Sequence, residues 1–358
     1  MARTVIPFGP QHPVFPEPIQ LKLELEDERV IRVTPVIGYV HRGIEKAAEL
    51  NEFRSNIFLC ERICGICSFN HALCYCQGIE ELLKVDVPPR AKYLRVFWGE
   101  LSRMHSHLLW LGFLADSFGF ESLFMQIWRA REMILDISEM TAGHRIIQST
   151  CVIGGVKRDI DRKMAESVRE KLLNFKRQMD VILPVIMNDG TLKARTVGKG
   201  ILSRQQALSL GAVGPTLRGS GVALDSRMLG YAAFEELGFE PVVEMAGDSY
   251  ARTLVRVREI YQSLELIRQA LSNMPDGEIA VKARGMPEGE AVSRVEQPRG
   301  EVIYFISGNG TKNLVRMRVR TPTFANIPTL LVMIPGCEMA DVPVITLSID
   351  PCIACTER

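Results

Sequence analysis

Apolar residues recur with two different periods along this chain. From Ile19 the pattern alternates: Ile19, Leu21, Leu23 and Leu25 are apolar, while Gln20, Lys22, Glu24 and Glu26 are polar. Period two is that of a half-buried strand. Asp27-Glu28 turns the chain into a second strand over about Val30 to Val36, so a small antiparallel sheet is expected. It delivers a loop, Gly38 to Lys46, that carries Arg42 and Glu45. The same alternation brackets Gly308-Asn309-Gly310, a hairpin turn. Val302, Tyr304 and Ile306 precede it; Val315, Met317 and Val319 follow, opposite Arg316, Arg318 and Arg320.

Between these regions the period lengthens to that of helices. Residues 90–118 carry Leu94, Phe97, Leu101, Met104, Leu108 and Leu111 on one stripe. Residues 121–149 read as a second helix. Residues 157–182 make a third, with Val168, Leu172, Phe175 and Met179 inward. Residues 248–274 make a fourth, with Val257, Ile267 and Leu271 inward. The expected fold is α+β, mainly α: a central bundle of long helices with small antiparallel sheets at its periphery. One domain, 1–358, is expected, with an arm and sheet over 1–48, a helical core over 49–274 and a hairpin region over 275–358. The proline-rich first 17 residues read as an extended arm. The Gly-rich stretch 198–221 reads as a tight connector, because it lacks the Gly-Lys-Ser/Thr ending of a phosphate loop.

Composition changes this picture little. The chain has 358 residues, a formal net charge of +1, 47% hydrophobic and 24% charged residues. That balance gives no reason to expect nucleic acid or direct attraction to an anionic membrane. No run approaches the roughly 20 apolar residues of a spanning helix; the best, Ile327 to Ile334, contains Pro328. Membrane association is therefore expected only through partner subunits. Nine cysteines without an export leader point to a reducing compartment and to free or metal-bound thiols.

Four of those cysteines carry the chemistry. Cys64-Gly65-Ile66-Cys67 lies near the start and Cys352-Ile353-Ala354-Cys355 near the end. Two such pairs can supply four thiolates to one soft metal, nickel, iron, copper(I) or zinc. A structural zinc site usually joins pairs a few tens of residues apart and staples a small domain. Here nearly the whole chain lies between the pairs, and a chain this long needs no staple. Cys60, Cys74, Cys76, Cys151 and Cys337 read as small buried apolar residues. His105 and His107, two apart on one helix, cannot chelate one metal from the same face.

Arg62-Ile63-Cys64-Gly65-Ile66-Cys67, followed by His71, and the closing Asp350-Pro351-Cys352-Ile353-Ala354-Cys355 resemble the paired signature of [NiFe]-hydrogenase large subunits. Gly9-Pro10-Gln11-His12-Pro13 and Gly38-Tyr39-Val40-His41-Arg42-Gly43-Ile44-Glu45-Lys46 resemble the related large subunit of respiratory complex I. The combination is similar to the energy-converting, membrane-associated (Ech-like) hydrogenases, from about Gly9 to Arg358. One departure is Arg358 itself, where many members of the wider family end in His.

The resemblance implies a large-subunit fold and a reversible hydrogenase, H2 = 2 H+ + 2 e−. It implies a Ni–Fe centre whose iron carries cyanide and carbon monoxide, with Cys64 and Cys352 terminal on nickel and Cys67 and Cys355 bridging. Pro298-Arg299 would lie over the diatomic ligands, and Asp350 would orient Arg299. His71 and Arg42 would sit just outside the ligands, and Asp116 could approach the cofactor. Glu45 would accept protons beside a ligating cysteine, with a pKa raised by burial and like charge. A small subunit with a [4Fe–4S] cluster is implied, since this chain has no second four-cysteine set. Further implied partners are other iron–sulfur subunits, ferredoxin and integral membrane subunits that translocate ions, placing the chain peripherally on the cytoplasmic side of the cell membrane. The competing classes are a complex-I-like subunit of a quinone site, which lacks those four thiols, and a structural zinc protein.

Overall fold

The computed structural model describes residues 3–358. Strands β1 (Arg3–Phe8), β2 (Gln20–Glu26) and β3 (Arg29–Val36) form an antiparallel sheet in that order. Leu21, Leu23, Leu25, Val30 and Val33 are buried on one face of it, as the alternation requires. The expected N-terminal arm is in part a strand: β1 pairs with β2 from Arg3↔Glu26 to Phe8↔Leu21. It is an edge strand, where Pro7 is tolerated, and the proline-rich segment begins only after it.

Short helices α1 (Ile44–Leu50) and α2 (Asn56–Glu61) lead to α3 (Ser68–Leu83). Then come the long helices α4 (Pro89–Ser117), α5 (Glu121–Ala142) and α6 (Arg162–Asn188), and after the connector α7 (Ser249–Asn273). Helix α4 packs on α5 and α7, and α6 packs on the same two, which closes the expected bundle. The boundaries follow local chemistry. Gly143, at φ +83°, ends α5 seven residues before the expected limit. Asp161 starts α6 by accepting from Met164 N at 2.7 Å, the capping bond of an N-terminal carboxylate.

The interior of the bundle departs from the sequence reading. The apolar stripe of α4 is buried as expected, but so are Arg95, Glu100, Arg103, His105 and His107. Helix α7 buries Arg252, Arg256 and Glu259 in the same way. A stripe read from apolar residues alone omits them. Most are inside because they find partners there: Glu259 meets Arg218 at 2.7 Å and His107 at 2.7 Å, and unpaired charges would not be tolerated at that depth.

The last region is a sheet of β4 (Glu288–Gln297), β5 (Gly300–Asn309) and β6 (Leu314–Arg320). The expected hairpin joins β5 to β6, but a bulge near Ser307/Gly308 shifts the alternation. Leu314 therefore points inward and Val315 is 53% exposed. Strand β4 was not legible as a strand. It pairs with β5 from Glu288↔Asn309 to Gln297↔Gly300, so Pro298 and Arg299 are the whole turn between them. The inner face packs on α3. The Gly-rich connector ends in a five-residue helix, Gly214–Arg218, that presses on this turn. Gly214 has φ +66°, and a Cβ there would stand 2.3 Å from Arg299 O and 2.4 Å from Gly300 Cα. The chain closes through α8 (Val342–Ser348).

Two outcomes follow. Gly214→Ala should cost about 2–4 kcal/mol in urea unfolding, from overpacking against the turn and a left-handed backbone; a loss below about 0.5 kcal/mol would show that the turn moves freely. Burial pushes His105 down to about 3 and His107 down to about 4. Their folded pKa values lie below the unfolded value, so below about pH 6.5 the unfolded chain binds more protons and stability falls with pH. Unfolding of the metal-free chain at about pH 5 should take up about two protons attributable to these residues, and His107→Phe should remove one.

Candidate metal centre

The two cysteine pairs meet in the middle of the molecule. Cys64 lies in the junction between α2 and α3, and Cys67 is the residue from which α3 starts. Cys352 and Cys355 belong to the last short turn of helix, Ile353–Thr356, after α8. Cys64 Sγ is 3.4 Å from Cys352 Sγ, and Cys67 Sγ is 3.5 Å from Cys355 Sγ. The sulfurs of Cys64, Cys67 and Cys355 all lie within 4.8 Å of one another. All four residues are buried.

The donor set fits a soft cation. Hydrogen bonds from Cys352, Cys355 and Cys67 hold the Cys64 thiol well below its usual range. Burial pushes Cys67 and Cys355 well above theirs. Cys352, although Cys355 hydrogen-bonds to it, is raised as well by Cys64 and burial. A bound cation would favour the thiolate form of all four.

Four side chains organise the sulfurs. Arg42 donates to Arg62 O at 2.9 Å, Ile63 O at 2.8 Å and Ala354 O at 2.9 Å, so one guanidinium ties both cysteine segments together. Arg299, carried on the β4–β5 turn, donates from Nε to Asp350 O and from Nη2 to Asp350 Oδ1, each at 2.9 Å, and from Nη1 to Ser106 Oγ at 3.3 Å. Burial opposes its charge, but Asp350 and then the cysteines hold its pKa well above the usual value. His71 stands between Cys355 Sγ at 3.4 Å and Tyr304 OH at 2.8 Å. Burial pushes its pKa down to about 4, so the ring is neutral. A neutral ring that accepts at Nδ1 from Tyr304 OH carries its hydrogen on Nε2, aimed at sulfur. Pro298 is buried beside Arg299 and follows the end of β4.

Two expected residues do not come to the site. Asp116 is exposed at the end of α4 and lines no part of the pocket; the helix runs past the cysteines before reaching it. Glu45, in the first turn of α1, meets no cysteine. It accepts from Val319 N at 2.9 Å and pairs with Arg318 at 3.1 Å and Arg358 at 2.9 Å. Partial burial opposes it, yet Val319 N–H and the two arginines hold its carboxyl below the usual range, the reverse of the shift expected. Its reach is to the end of the chain, where Glu357 in turn accepts from Gly38 N and Val40 N.

The carboxylate beside sulfur is Glu17, which pattern reading passed over in the proline-rich loop. Its Oε1 is 3.9 Å from Cys352 Sγ, and its Oε2 accepts from Ile353 N and, at 3.0 Å, from Ala354 N. Burial, then the charge of Cys64, raises its pKa. Glu17, Arg299, Asp350 and Cys352 line one cavity of about 180 Å³, with Ile66 and Trp110 among its apolar walls. His12 stands apart, stacked on Phe8 at 4.0 Å.

Comparison with known proteins adds to this geometry. A family described as respiratory-chain NADH dehydrogenase, 49 Kd subunit, matches residues 117–286 and 281–358. A second, described as nickel-dependent hydrogenase, matches residues 42–115. The carbon monoxide-induced hydrogenase of Rhodospirillum rubrum is 40% identical, over 100% of both chains. The membrane-bound hydrogenase subunit alpha of Pyrococcus furiosus is 38% identical, over 99% of this chain and 87% of that one. An NADH-quinone oxidoreductase subunit of Koribacter versatilis is 34% identical, over 97% of this chain and 94% of that one.

Tyr304 was seen in the sequence only as an inward strand residue, and its bond to His71 has a measurable consequence. In the metal-free chain, nitrogen NMR should show His71 as a single Nε2–H tautomer. Tyr304→Phe should release it to a mixture of both, with the fold retained; an unchanged spectrum would mean that Cys355 alone sets the ring.

Proposed function

The chain belongs to the family that unites the 49 kDa subunit of respiratory-chain NADH dehydrogenase with the nickel-dependent hydrogenases, and from that premise we propose that it is the catalytic subunit of a reversible, energy-converting hydrogenase. The observation that carries the reading is the cluster of four buried sulfurs under a buried arginine. A quinone-site subunit would leave those thiols without a role, and a structural zinc would not need the Arg299–Asp350 pair beside it.

Cys64, Cys67, Cys352 and Cys355 would hold a Ni–Fe centre with cyanide and carbonyl on iron, which when bound supplies the site where H2 is split or formed. The protein's part is to bind, orient and move protons. Arg299 places a fixed positive charge at the cavity wall, a preorganised stabiliser for charge that develops as H–H is polarised. Asp350 holds its planar fork through two contacts. His71 donates toward Cys355 and so tempers the electron density of that sulfur. Glu17 takes the proton that Glu45 had been expected to take. Its Oε1 faces Cys352, and a carboxyl with a raised pKa can both accept and release a proton near neutral pH. Arg42 and Glu45 keep the cysteine-bearing segments in place.

Electrons would leave beside Cys64, where Gly65 is exposed, to a [4Fe–4S] cluster in a small subunit and on to ferredoxin. Ion-translocating membrane subunits would hold the assembly at the cytoplasmic side of the membrane; no helix among the described residues is long and apolar enough to cross one.

Purified complex should contain about one nickel per chain together with iron, and should show cyanide and carbonyl infrared bands. Zinc as the sole metal would overturn the assignment. Glu17→Gln should keep nickel and those bands while H/D exchange falls about a hundredfold or more. Glu45→Gln should leave exchange within about twofold and lower thermal stability instead. The reverse pattern would return the proton route to Glu45.

A further inference from the structure

Helix α7 carries two buried guanidiniums one turn apart, Arg252 and Arg256, and residues four apart share a helix face. Arg252 is fully satisfied. It donates from Nε to Ser348 Oγ at 2.9 Å, from Nη1 to Gly247 O at 2.9 Å, and from Nη2 to Gly200 O at 2.8 Å and Ser249 Oγ at 3.1 Å. Arg256 is not. Its Nη1 donates to Arg252 O at 3.0 Å, but Nε and Nη2 are buried without a partner among the described residues. Its guanidinium stacks on the ring of Trp110, 4.2 Å from the centroid.

Trp110 and Asp350 meet at one carbonyl. Helix α8 packs on α4 and α7, and Leu347 O, near its end, accepts from Trp110 Nε1 at 2.6 Å and from Asp350 N at 2.8 Å. Trp110, Leu347, Asp350 and Arg299 line the same cavity beside the cysteines. The guanidinium on the Trp110 ring therefore lies next to the segment that carries Asp350. Burial lowers the Arg256 pKa to about 10, and Asp350 is the first of the charges that oppose this, ahead of Glu259. Arg256 is thus a cation at neutral pH.

Asp350 itself is under constraint. Its backbone has φ +55°, a left-handed conformation that a non-glycine residue keeps only when its contacts hold it there. Arg299 takes Asp350 O and Oδ1, but Oδ2 is buried without a partner among the described residues. A carboxylate oxygen without a donor and two N–H groups without an acceptor are complementary deficits, and each is costly if left dry. A water molecule with these three partners meets the requirement for an ordered internal one.

We propose that Arg256 is a positioning residue for Asp350: an internal water accepts from Arg256 and donates to Asp350 Oδ2, so that the carboxylate keeps Oδ1 turned toward Arg299. Stacking on Trp110 fixes the plane of the Arg256 guanidinium, and Leu347 O fixes Trp110. The contacts then run from α7 through water and Asp350 to Arg299, with every donor facing an acceptor. The consequence for turnover rests on the reading of Arg299 and Asp350 as parts of a hydrogenase site; the water contact does not.

Two measurements on the intact complex test this. A high-resolution crystal structure should show an ordered water bonded both to Asp350 Oδ2 and to Arg256 Nε or Nη2. No water there, or one bonded to a single partner, overturns the proposal whatever reaction the centre runs. Arg256→Met keeps an apolar stem against Trp110 and removes the donors; nickel should be retained while H/D exchange falls about tenfold. Added to Asp350→Asn, the same change should cost no more than about a further twofold, because Arg256 acts through Asp350. Single effects that multiply in the double variant, or unchanged exchange in Arg256→Met, overturn the proposal. Should Arg256→Met fail to fold, the wild-type structure decides alone. The water in place in a nickel-loaded complex without hydrogen activity would support the bridge and overturn the hydrogenase reading instead.

Discussion

Four sulfur atoms drawn from the two ends of the chain must share one buried pocket, and most of the architecture answers to that constraint. The pairs are 285 residues apart, counting from Cys67 to Cys352, yet their sulfurs stand 3.4 and 3.5 Å apart. Closing so long a loop is entropically costly, and no single contact offsets it. Arg42 ties Ile63 to Ala354. Glu17 accepts the amides of Ile353 and Ala354. Glu45 in α1 pairs with Arg358, and Glu357 accepts from Gly38 N in the loop after β3. Each bond joins an N-terminal element to the C-terminal segment, so the site is assembled only when the fold is complete.

The same constraint explains the charged interior of the bundle. Buried ion pairs are a poor source of stability, because desolvation offsets much of the attraction. Here they serve geometry. Arg103 holds the carbonyls of Glu296 and Gln297, and Gly214 packs against the backbone of the turn they lead into. Arg299 is thereby fixed from two sides before Asp350 contacts it. Placing an arginine on a two-residue turn restricts its backbone more than a longer loop would.

Two glutamates show how context divides one side chain into two roles. Glu45 and Glu17 both hold the C-terminal segment. Glu45 is partly exposed among arginines and stays ionised; Glu17 is buried beside thiols and its pKa rises. Only the second is suited to exchange a proton near neutrality. A carboxylate in a resembling stretch of sequence therefore did not locate the carboxylate beside sulfur; folding did.

The sequence by itself determined the class of element and the chemistry of the donors. Periods of two and 3.6 located β2, β3 and the long helices, because local burial imposes them. Cys64, Cys67, Cys352 and Cys355 were legible because two spaced thiol pairs are a chemical statement in one dimension, and Arg299, Asp350, His71 and Arg42 because they stand in signature stretches. What the tertiary structure decided was everything set by partners distant in sequence. Strand β4 carries Glu, Gly and Arg and becomes a strand only against β5. Glu100, Arg218 and Glu259 look like surface charge until they are paired inside. Glu17 and Tyr304 lie in a proline-rich loop and on an ordinary strand, and acquire their contacts through folding alone. Asp116 lost its expected place for the same reason: position along a helix is set by sequence, but what that position faces is set by packing.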